Sequence, residues 1–211
     1  AFEIDDLVGG GPFSAYPRTS IVEGNQVLNI AGGPYRVGGF RGKTTVVFQN
    51  MVPISQYRAV GHPMGIVACD SLLEKVAGEI GIDRLEIRRR NFIPDDGYPA
   101  NSPGGIPLHD LSHQACLTKL EETIDLEALM RDQAEAKERG VHRGIGFASF
   151  IKGTNPGALI YGPAKVPISA VDGCTIRFEP AGGVTCQIGV TEQGQGTETM
   201  VAQIVASAIG M

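Results

Sequence analysis

The stretch KTTVVFQNMVPISQYRAVGHPMGIVACDSLLEKVAGEIG, residues 43–81, contains a strand, a loop and a helix in that order. Residues Thr44 to Phe48 are β-branched or aromatic, which is typical of a strand, and Pro53 would stop a central strand. From Pro63 onward the apolar residues recur at intervals of three and four, which predicts a helix with one buried face. Gly81 suits the C-terminal cap of that helix. The change of period predicts a fold that contains both strands and helices.

Helices continue through the middle of the chain. Asp83 and Glu86 stand three residues apart, the spacing of a capping box, and predict that a second helix begins there. The arginines at 88–90 fall near its C-terminal end, where they suit the helix dipole and a solvated face. Two further helices are predicted over residues 111–122 and 126–139, and good helix formers run throughout the second.

Strand patterns return after residue 142. The segment RGIGFASFI at 143–151 is predicted to be a strand, and residues 154–165 are predicted to be a loop. The alternating segments CTIRFEP and VTCQIGV are joined through PAGG, which predicts a β-hairpin over residues 174–190. The apolar residues at 200–210 predict a final helix.

Together these segments predict an α+β fold. We expect three parts: a Gly-rich β and loop segment over 1–62, a helical segment over 63–140, and a hairpin and helix over 141–211. Residues 1–34 within the first part show no dominant apolar period. Because the chain begins with Ala and ends inside an apolar segment, we expect it to be a piece of a longer polypeptide.

Composition restricts the classes of function. The formal net charge is -5 and no basic face stands out, which argues against a nucleic-acid-binding protein. No run of residues is long and apolar enough to cross a bilayer, so no membrane span is predicted. The four cysteines lack CxxC spacing and lie in apolar or alternating contexts. This usage predicts reduced core thiols in a cytoplasmic protein.

The segment TEQGQGTET, residues 191–199, joins the hairpin to the last helix, and two interpretations of it stay open. Gly194 and Gly196 permit close approach of a ligand, and the start of a helix offers unpaired amides to an anion such as phosphate. Alternatively, the segment is a glycine turn capped by Thr197. Glu192 would repel a phosphate unless its side chain points away.

The loop QYRAVGHPMG, residues 56–65, joins the strand to the first long helix, and connecting loops commonly carry binding sites. Arg58 would pair with an anionic ligand; the alternative is a surface arginine followed by a turn histidine, His62. His109 and His113 have the spacing of two helical metal ligands. Because no HExxH motif is present, we predict no metal site there.

Three of these segments resemble one known family. They are residues 35–65, the segment DRLEIRRRNFI at 83–93, and TEQGQGTET at 191–199. In order and spacing they are similar to the molybdenum-binding subunit of the xanthine dehydrogenase/aldehyde oxidase family, and the similarity spans nearly the whole chain. Members of that family are several times longer, so the resemblance implies an internal portion of the large subunit.

The resemblance implies a role for both loops. The loop at 57–61 would run beside the molybdenum, and the segment at 194–196 would pack on molybdopterin, which in bacteria usually carries a cytosine dinucleotide. The implied cofactor-binding residues are Tyr57, Arg58, Ala59, Gly194, Gln195 and Gly196. The protein would supply no direct metal ligand; it would supply orientation and electrostatics.

The family reaction implied by the resemblance is hydroxylation of an electron-poor carbon, with water as the source of oxygen. A glutamate acts as base, and it lies in a part of the family's sequence that this chain does not contain, so no catalytic residue is assigned here. Electrons leave through iron–sulfur clusters and FAD on other subunits or domains. We therefore expect these subunits and the rest of the molybdenum subunit as partners, and we expect the isolated chain to be inactive.

Departures from the family pattern bear on the small-molecule substrate. Purine-oxidising members have an aromatic residue where this chain has Val60, and a catalytic arginine where spacing places Gln26; both changes argue against xanthine. Carbon-monoxide-oxidising members have a cysteine where this chain has Ala59. An aldehyde or an aromatic N-heterocycle remains, with Gln26, Val60 and His62 as candidate pocket residues. The alternatives are a non-catalytic assembly or binding module and an unrelated phosphate- or nucleotide-binding domain.

Overall fold

The structure is a computed structural model that describes residues 1–14, 21–54, 56–153 and 172–211. The chain forms two compact units, Ala1–Lys152 and Gly153–Met211, and each is described by itself. Strands and helices occur together, which confirms the predicted α+β fold. The three-part division made from the sequence stays a prediction. Within the part of the chain that the structure describes, no helix combines the length and hydropathy needed to cross a bilayer.

The first unit contains a parallel pair of strands with helices packed against it. Its described elements are β1 (Phe2–Gly9), α1 (Ile21–Ile30), β2 (Phe40–Val47), α2 (His62–Ile80), α3 (Arg84–Asn91), β3 (Ala100–Asn101), β4 (Pro107–Leu108), α4 (His113–Thr123) and α5 (Leu126–Glu138). β1 pairs with β2 in parallel, from Phe2 opposite Phe40 to Gly9 opposite Val47. α1 lies between these strands in the chain, which provides the crossover that parallel strands require.

The sequence predicted β2 and helices α2 to α5, and the structure confirms them with small shifts of their ends. Asp83 caps α3, since its carboxylate accepts hydrogen bonds from the amides of Leu85 (2.8 Å) and Glu86 (3.0 Å). Gly81 ends α2 in a left-handed conformation, with φ of 68°.

β1 and α1 lie where the sequence showed no dominant period. α1 contains Gly24 and two asparagines, which are poor helix formers, so its intrinsic propensity is low. Packing holds it instead: Gly65 of α2 lies so close that an added Cβ would collide with the Ile30 side chain. The buried residues of α1, Gly24, Val27 and Ile30, are the ones that face the sheet and α2.

The segment at 143–151 was predicted to be a strand, and that prediction is wrong. Its backbone has no strand partner among the described residues, and side chains of other elements bind it instead. Arg84 donates to the Ile145 carbonyl at 2.9 Å, Arg88 to the Phe147 carbonyl at 3.0 Å, and the His113 ring contacts the Phe150 carbonyl oxygen at 3.0 Å. Residues 143–151 are therefore an irregular segment whose backbone is bound by side chains of other elements.

Arg88 was predicted to lie on a solvated helix face, and that prediction is also wrong. Its side chain is 1% exposed and pairs with Asp70 at 3.0 Å and with Glu74 at 2.7 Å. The Tyr35 hydroxyl donates to the same Asp70 oxygen at 3.0 Å. Burial raises the pKa of Asp70, and the charge of Arg88 opposes that rise. This network joins α2, α3 and the irregular segment at 143–151 inside the core.

The second unit contains a hairpin and a helix, as predicted. β5 (Cys174–Phe178) pairs antiparallel with β6 (Val184–Ile188), and α6 spans Thr197–Ile209. The loop predicted at 154–165 lies outside the described residues.

The four cysteines are all free thiols, but the expectation that they are core residues holds for one. Only Cys69 is buried, whereas Cys116 and Cys174 are exposed and Cys186 is intermediate.

Candidate functional site

The loop that precedes α2 presents its first residues to solvent. The Tyr57 side chain is 87% exposed, and Arg58 beside it is exposed as well. Ala59 has a φ of +69°, in the left-handed region that non-glycine residues seldom occupy. Backbone held in such a conformation is found disproportionately at functional sites. The half-buried Val60 follows it and leads toward α1.

Gly61 fixes where the loop ends. It is the N-cap residue of α2, with φ of 73°, and the Gly65 amide donates to its carbonyl at 3.3 Å. A Cβ at this position would collide with the Glu23 carbonyl oxygen and lie 2.8 Å from the Gln26 Cβ. Only glycine satisfies both the conformation and the space, so the loop is anchored directly on α1.

Two of the three candidate pocket residues meet at this anchor. The His62 Nε2 lies 3.3 Å from the Gln26 Oε1, although the residues are 36 positions apart. His62 is 8% exposed, so the interpretation as a solvated turn histidine is wrong. Its Nδ1 is buried and has no hydrogen-bond partner within the described ranges. Val60 lies two residues before His62 on the same loop.

The environment of His62 favours its neutral form. Burial lowers the pKa of His62 from its ordinary value, and the positive charge of Lys152 lowers it further. Because Gln26 places a carbonyl oxygen against Nε2, the proton of the neutral ring belongs on Nε2. The ring is then a donor to Gln26 and keeps an acceptor nitrogen on its other side.

The segment at 191–199 is held by one of its own carboxylates. Glu192 Oε1 accepts hydrogen bonds from the amides of Gly194 at 2.7 Å and Gly196 at 3.1 Å. Glu192 Oε2 accepts from the Thr197 amide at 2.6 Å. The amides at the start of α6 thus bind an anion, which agrees with one of the two interpretations left open by the sequence, but the anion is a side chain of the same loop. Gly196, with φ of 77°, is the N-cap residue, and the expectation that Thr197 caps the helix is wrong.

Gln195 also folds back onto this loop. Its Oε1 accepts from the Gln193 amide at 2.7 Å, and its Nε2 donates to the Thr191 carbonyl at 2.9 Å. Of the two hydrogens on that nitrogen, the described contacts account for one. The loop therefore keeps its shape through its own side chains, while residues 191–196 stay exposed.

The predicted site residues fall into two groups. Gln26, Val60 and His62 accompany Tyr57, Arg58 and Ala59 in the first unit, and Gly194, Gln195 and Gly196 lie in the second. Sequence reasoning missed Glu192, which it treated as a source of repulsion. The available signal was an acid two residues before a glycine at a helix start, where short-range side-chain bonds to backbone amides are common.

Comparison with known families identifies the chain. Residues 1–92 and residues 119–211 each match a family model described as a molybdopterin cofactor-binding domain. Together the two matches take in most of the sequence, and each includes one of the two candidate loops.

The chain belongs to the molybdopterin cofactor-binding family. Among similar proteins is the nicotine 6-hydroxylase large subunit of Paenarthrobacter nicotinovorans, 28% identical over 206 residues, covering 97% of this chain and 25% of that protein. The xanthine dehydrogenase molybdenum-binding subunit of Escherichia coli O157:H7 is 29% identical over 211 residues, covering 100% and 26%. These relatives confirm the resemblance to large subunits of the xanthine dehydrogenase/aldehyde oxidase family.

Over nearly all of its length the chain has the fold of a solved structure. Quinoline 2-oxidoreductase from Pseudomonas putida 86 superposes with a TM-score of 0.84 at 32% identity, covering 97% of this chain and 26% of that one. The chain therefore spans about a quarter of the length of the relatives that it matches.

Proposed function

We propose that this chain is the cofactor-contacting portion of a molybdenum hydroxylase large subunit. The whole protein hydroxylates a small molecule, with water as the source of oxygen, and passes the electrons to iron–sulfur and FAD groups on other subunits or domains. The cofactor is molybdopterin in its cytosine dinucleotide form. The protein is cytoplasmic, a placement that its free, unpaired thiols favour.

One observation carries the proposal: both candidate loops fall inside separate matches to the molybdopterin cofactor-binding family. The loop at 57–61 lies within the match over residues 1–92, and the segment at 194–196 lies within the match over residues 119–211. If the Gly-rich segment were an unrelated turn, we would not expect both loops to fall inside matches to the same kind of domain.

The residues of the second loop fit an organic cofactor. Among the described residues, a Cβ added to Gly196 would meet no atom within 4 Å, which leaves room there for close approach to the backbone. Gln195 retains an amide hydrogen beyond the one that it donates to Thr191. Gln195, Gly194 and Gly196 are the residues of this loop that would hold the group. When bound, the cofactor supplies the redox chemistry, and the protein supplies binding, orientation and electrostatics.

The first loop, taken by itself, also offers groups that fit an organic cofactor. Tyr57 and Arg58 are exposed and adjacent, so an aromatic ring and a cation both lie at the surface of this loop. Gly61 anchors this loop on α1, which limits the positions that Ala59 and Val60 can take. Next to this anchor, His62 lies within hydrogen-bonding distance of Gln26, which restricts the position of that amide.

The proposed substrate is an aromatic N-heterocycle or an aldehyde, with the heterocycle favoured. Two similar proteins are named for nicotine and for quinoline, and both compounds contain an aromatic ring with a nitrogen. Val60 and Gln26 replace the aromatic and arginine residues expected in a purine-oxidising site, which disfavours xanthine. Ala59 replaces the cysteine expected in carbon monoxide oxidation.

The geometry of the Glu192 carboxylate argues against the rival phosphate-binding function. The amides of Gly194, Gly196 and Thr197 already donate to it, so a phosphate would have to displace an ionised group of the same chain. Displacement would also place two like charges beside each other at the start of α6.

The test is a hydroxylation assay on the full-length protein with its partner subunits. Quinoline, benzaldehyde and xanthine are supplied in separate reactions in ¹⁸O-labelled water with an electron-accepting dye. The proposal expects labelled oxygen in the product from quinoline or benzaldehyde, and little product from xanthine. Failure of all three substrates in a protein that contains molybdenum would refute the substrate class. A protein without molybdenum would refute the function and favour a non-catalytic module.

A further inference from the structure

Glu192 is exposed, yet its carboxylate is committed to the loop that contains it. Both oxygens accept backbone hydrogen bonds, from Gly194 and Gly196 on one side and from Thr197 on the other. Bonds from amides to an ionised carboxylate are short and strong, and here they lie at 2.6–3.1 Å. The positive end of the α6 dipole adds to the attraction.

These bonds determine the shape of a segment that would otherwise be free to change. Gly194 and Gly196 have φ of 90° and 77°, and glycine exchanges readily between such conformations. The hydrogen bond from the Gly196 amide, followed by those from Thr197 and Gly194, lowers the pKa of Glu192, so the carboxylate stays ionised at neutral pH. The Gln195 side chain then bonds Gln193 and Thr191, which are the residues on either side of Glu192.

We propose that Glu192 is a positioning residue for the cofactor: its carboxylate locks the Gly194–Gly196 turn into the conformation that holds Gln195 ready to bind molybdopterin. The inference rests on the proposed function and assigns Glu192 no contact with the cofactor. Because Glu192 already orders the turn, the turn loses less conformational entropy when the cofactor binds.

A lock of this kind predicts a separation between cofactor retention and folding. Because residues 191–196 are exposed, the amides of Gly194 and Gly196 would bond to water once Glu192 releases them. Thr197 is buried, so the loss of its acceptor would cost about as much as the loss of one helix cap, at the start of α6 only. Cofactor retention, however, depends on the turn. If disorder of the turn weakens cofactor binding by the net free energy of one hydrogen bond, the cofactor should dissociate about ten times faster.

The experiment uses the full-length protein with its partner subunits and compares Glu192→Ala, Glu192→Gln and Glu198→Gln. Glu198→Gln is the matched control, since it removes an equal charge from the first turn of α6. Among the contacts of the described residues, the Glu198 side chain makes none to the loop. Molybdenum retained after timed dialysis is measured by mass spectrometry, and amide hydrogen exchange of residues 191–199 reports loop order. Thermal melting reports folding.

The expected result is that Glu192→Ala releases molybdenum about tenfold faster than wild type, while its melting temperature falls no further than the loss of one helix cap would lower it. Glu192→Gln keeps one carbonyl oxygen that can accept from the amides of Gly194 and Gly196. Its rate of molybdenum release should lie between those of wild type and Glu192→Ala. Exchange at residues 191–199 should follow the same order, and Glu198→Gln should match wild type. Equal release from Glu192→Ala and Glu198→Gln would overturn the inference alone, whereas wild type without molybdenum would overturn the proposed function on which it rests.

Discussion

Replacing Arg88 with methionine should destabilise the first unit more than any surface change on the same helix. The guanidinium pairs with Asp70 and Glu74 and also donates to the carbonyls of Arg84 (2.7 Å) and Phe147 (3.0 Å). Methionine fills a similar volume but leaves the buried Asp70 charge and the Phe147 carbonyl without their donor. Removing one partner of a buried pair costs about 3–5 kcal/mol.

The matched control is Arg90→Met, which removes an arginine from the same helix. The Arg90 side chain is 61% exposed and pairs with Glu86 four residues earlier, so its loss should cost about 0.5 kcal/mol or less. The double variant Arg88→Met/Asp70→Asn removes the stranded charge and should recover part of the loss, with a coupling of about 1–3 kcal/mol. The single variant Asp70→Asn completes the cycle, and urea denaturation followed by circular dichroism measures wild type and all four variants. If Arg88→Met and Arg90→Met differed by less than 1 kcal/mol, roughly the typical error of such comparisons, the reasoning about burial would be refuted.

The remaining predictions concern the loop and two titrating groups. Gly61→Ala should cost about 2–4 kcal/mol in urea denaturation, through left-handed strain and collision with α1, whereas Gly78→Ala on α2, where a Cβ meets nothing, should stabilise by about 0.5–1 kcal/mol; equal effects would contradict the close approach. The pKa of His62 is lowered by burial, so its contribution to stability is complete above the ordinary value of 6.5 and is lost as pH falls through the folded pKa. His62→Gln should therefore weaken the decline of unfolding free energy between about pH 7.5 and pH 5, and an unchanged decline would refute this. Burial raises the pKa of Cys69 to about 11, so iodoacetamide should modify Cys69 far more slowly than the exposed Cys116 in native protein at pH 8, as peptide mass spectrometry would show; equal rates would contradict the burial of Cys69.

Local patterns in the sequence predicted most elements whose signals are contained in one segment. The α2 period with its terminal Gly81, the Asp83 cap and the alternating β5–β6 hairpin are examples, and the structure confirms each. In these segments the propensity, the cap and the apolar pattern agree, which makes a prediction from sequence dependable.

Contacts between distant segments were beyond such reasoning. α1 depends on its close packing with α2, and the segment at 143–151 depends on arginines from α3. Arg88 resembles its two neighbours in sequence and differs from them only in what surrounds it. A local pattern does not record partners that lie 59 or 61 residues away.

The candidate site was predicted in part by the same rules. The glycines at 194 and 196 correctly indicated a turn at the start of a helix. The sequence could not tell that Glu192 would accept those amides, because attraction and repulsion depend on where the side chain points. The Gln26–His62 contact joins α1 to the start of α2, and it required the fold.

The central claim is that the two loops belong to a protein that binds molybdopterin. Its most direct test is elemental analysis of the full-length protein, purified with its partner subunits from cells supplied with molybdate. The claim predicts about one molybdenum atom for each copy of this chain, together with a pterin released by denaturation. It also predicts that Gln195→Ala lowers the molybdenum content, while Gln187→Ala, an exposed glutamine on β6, does not. Folded wild-type protein without molybdenum would contradict the claim, whereas equal molybdenum in wild type and both variants would contradict only the role of Gln195.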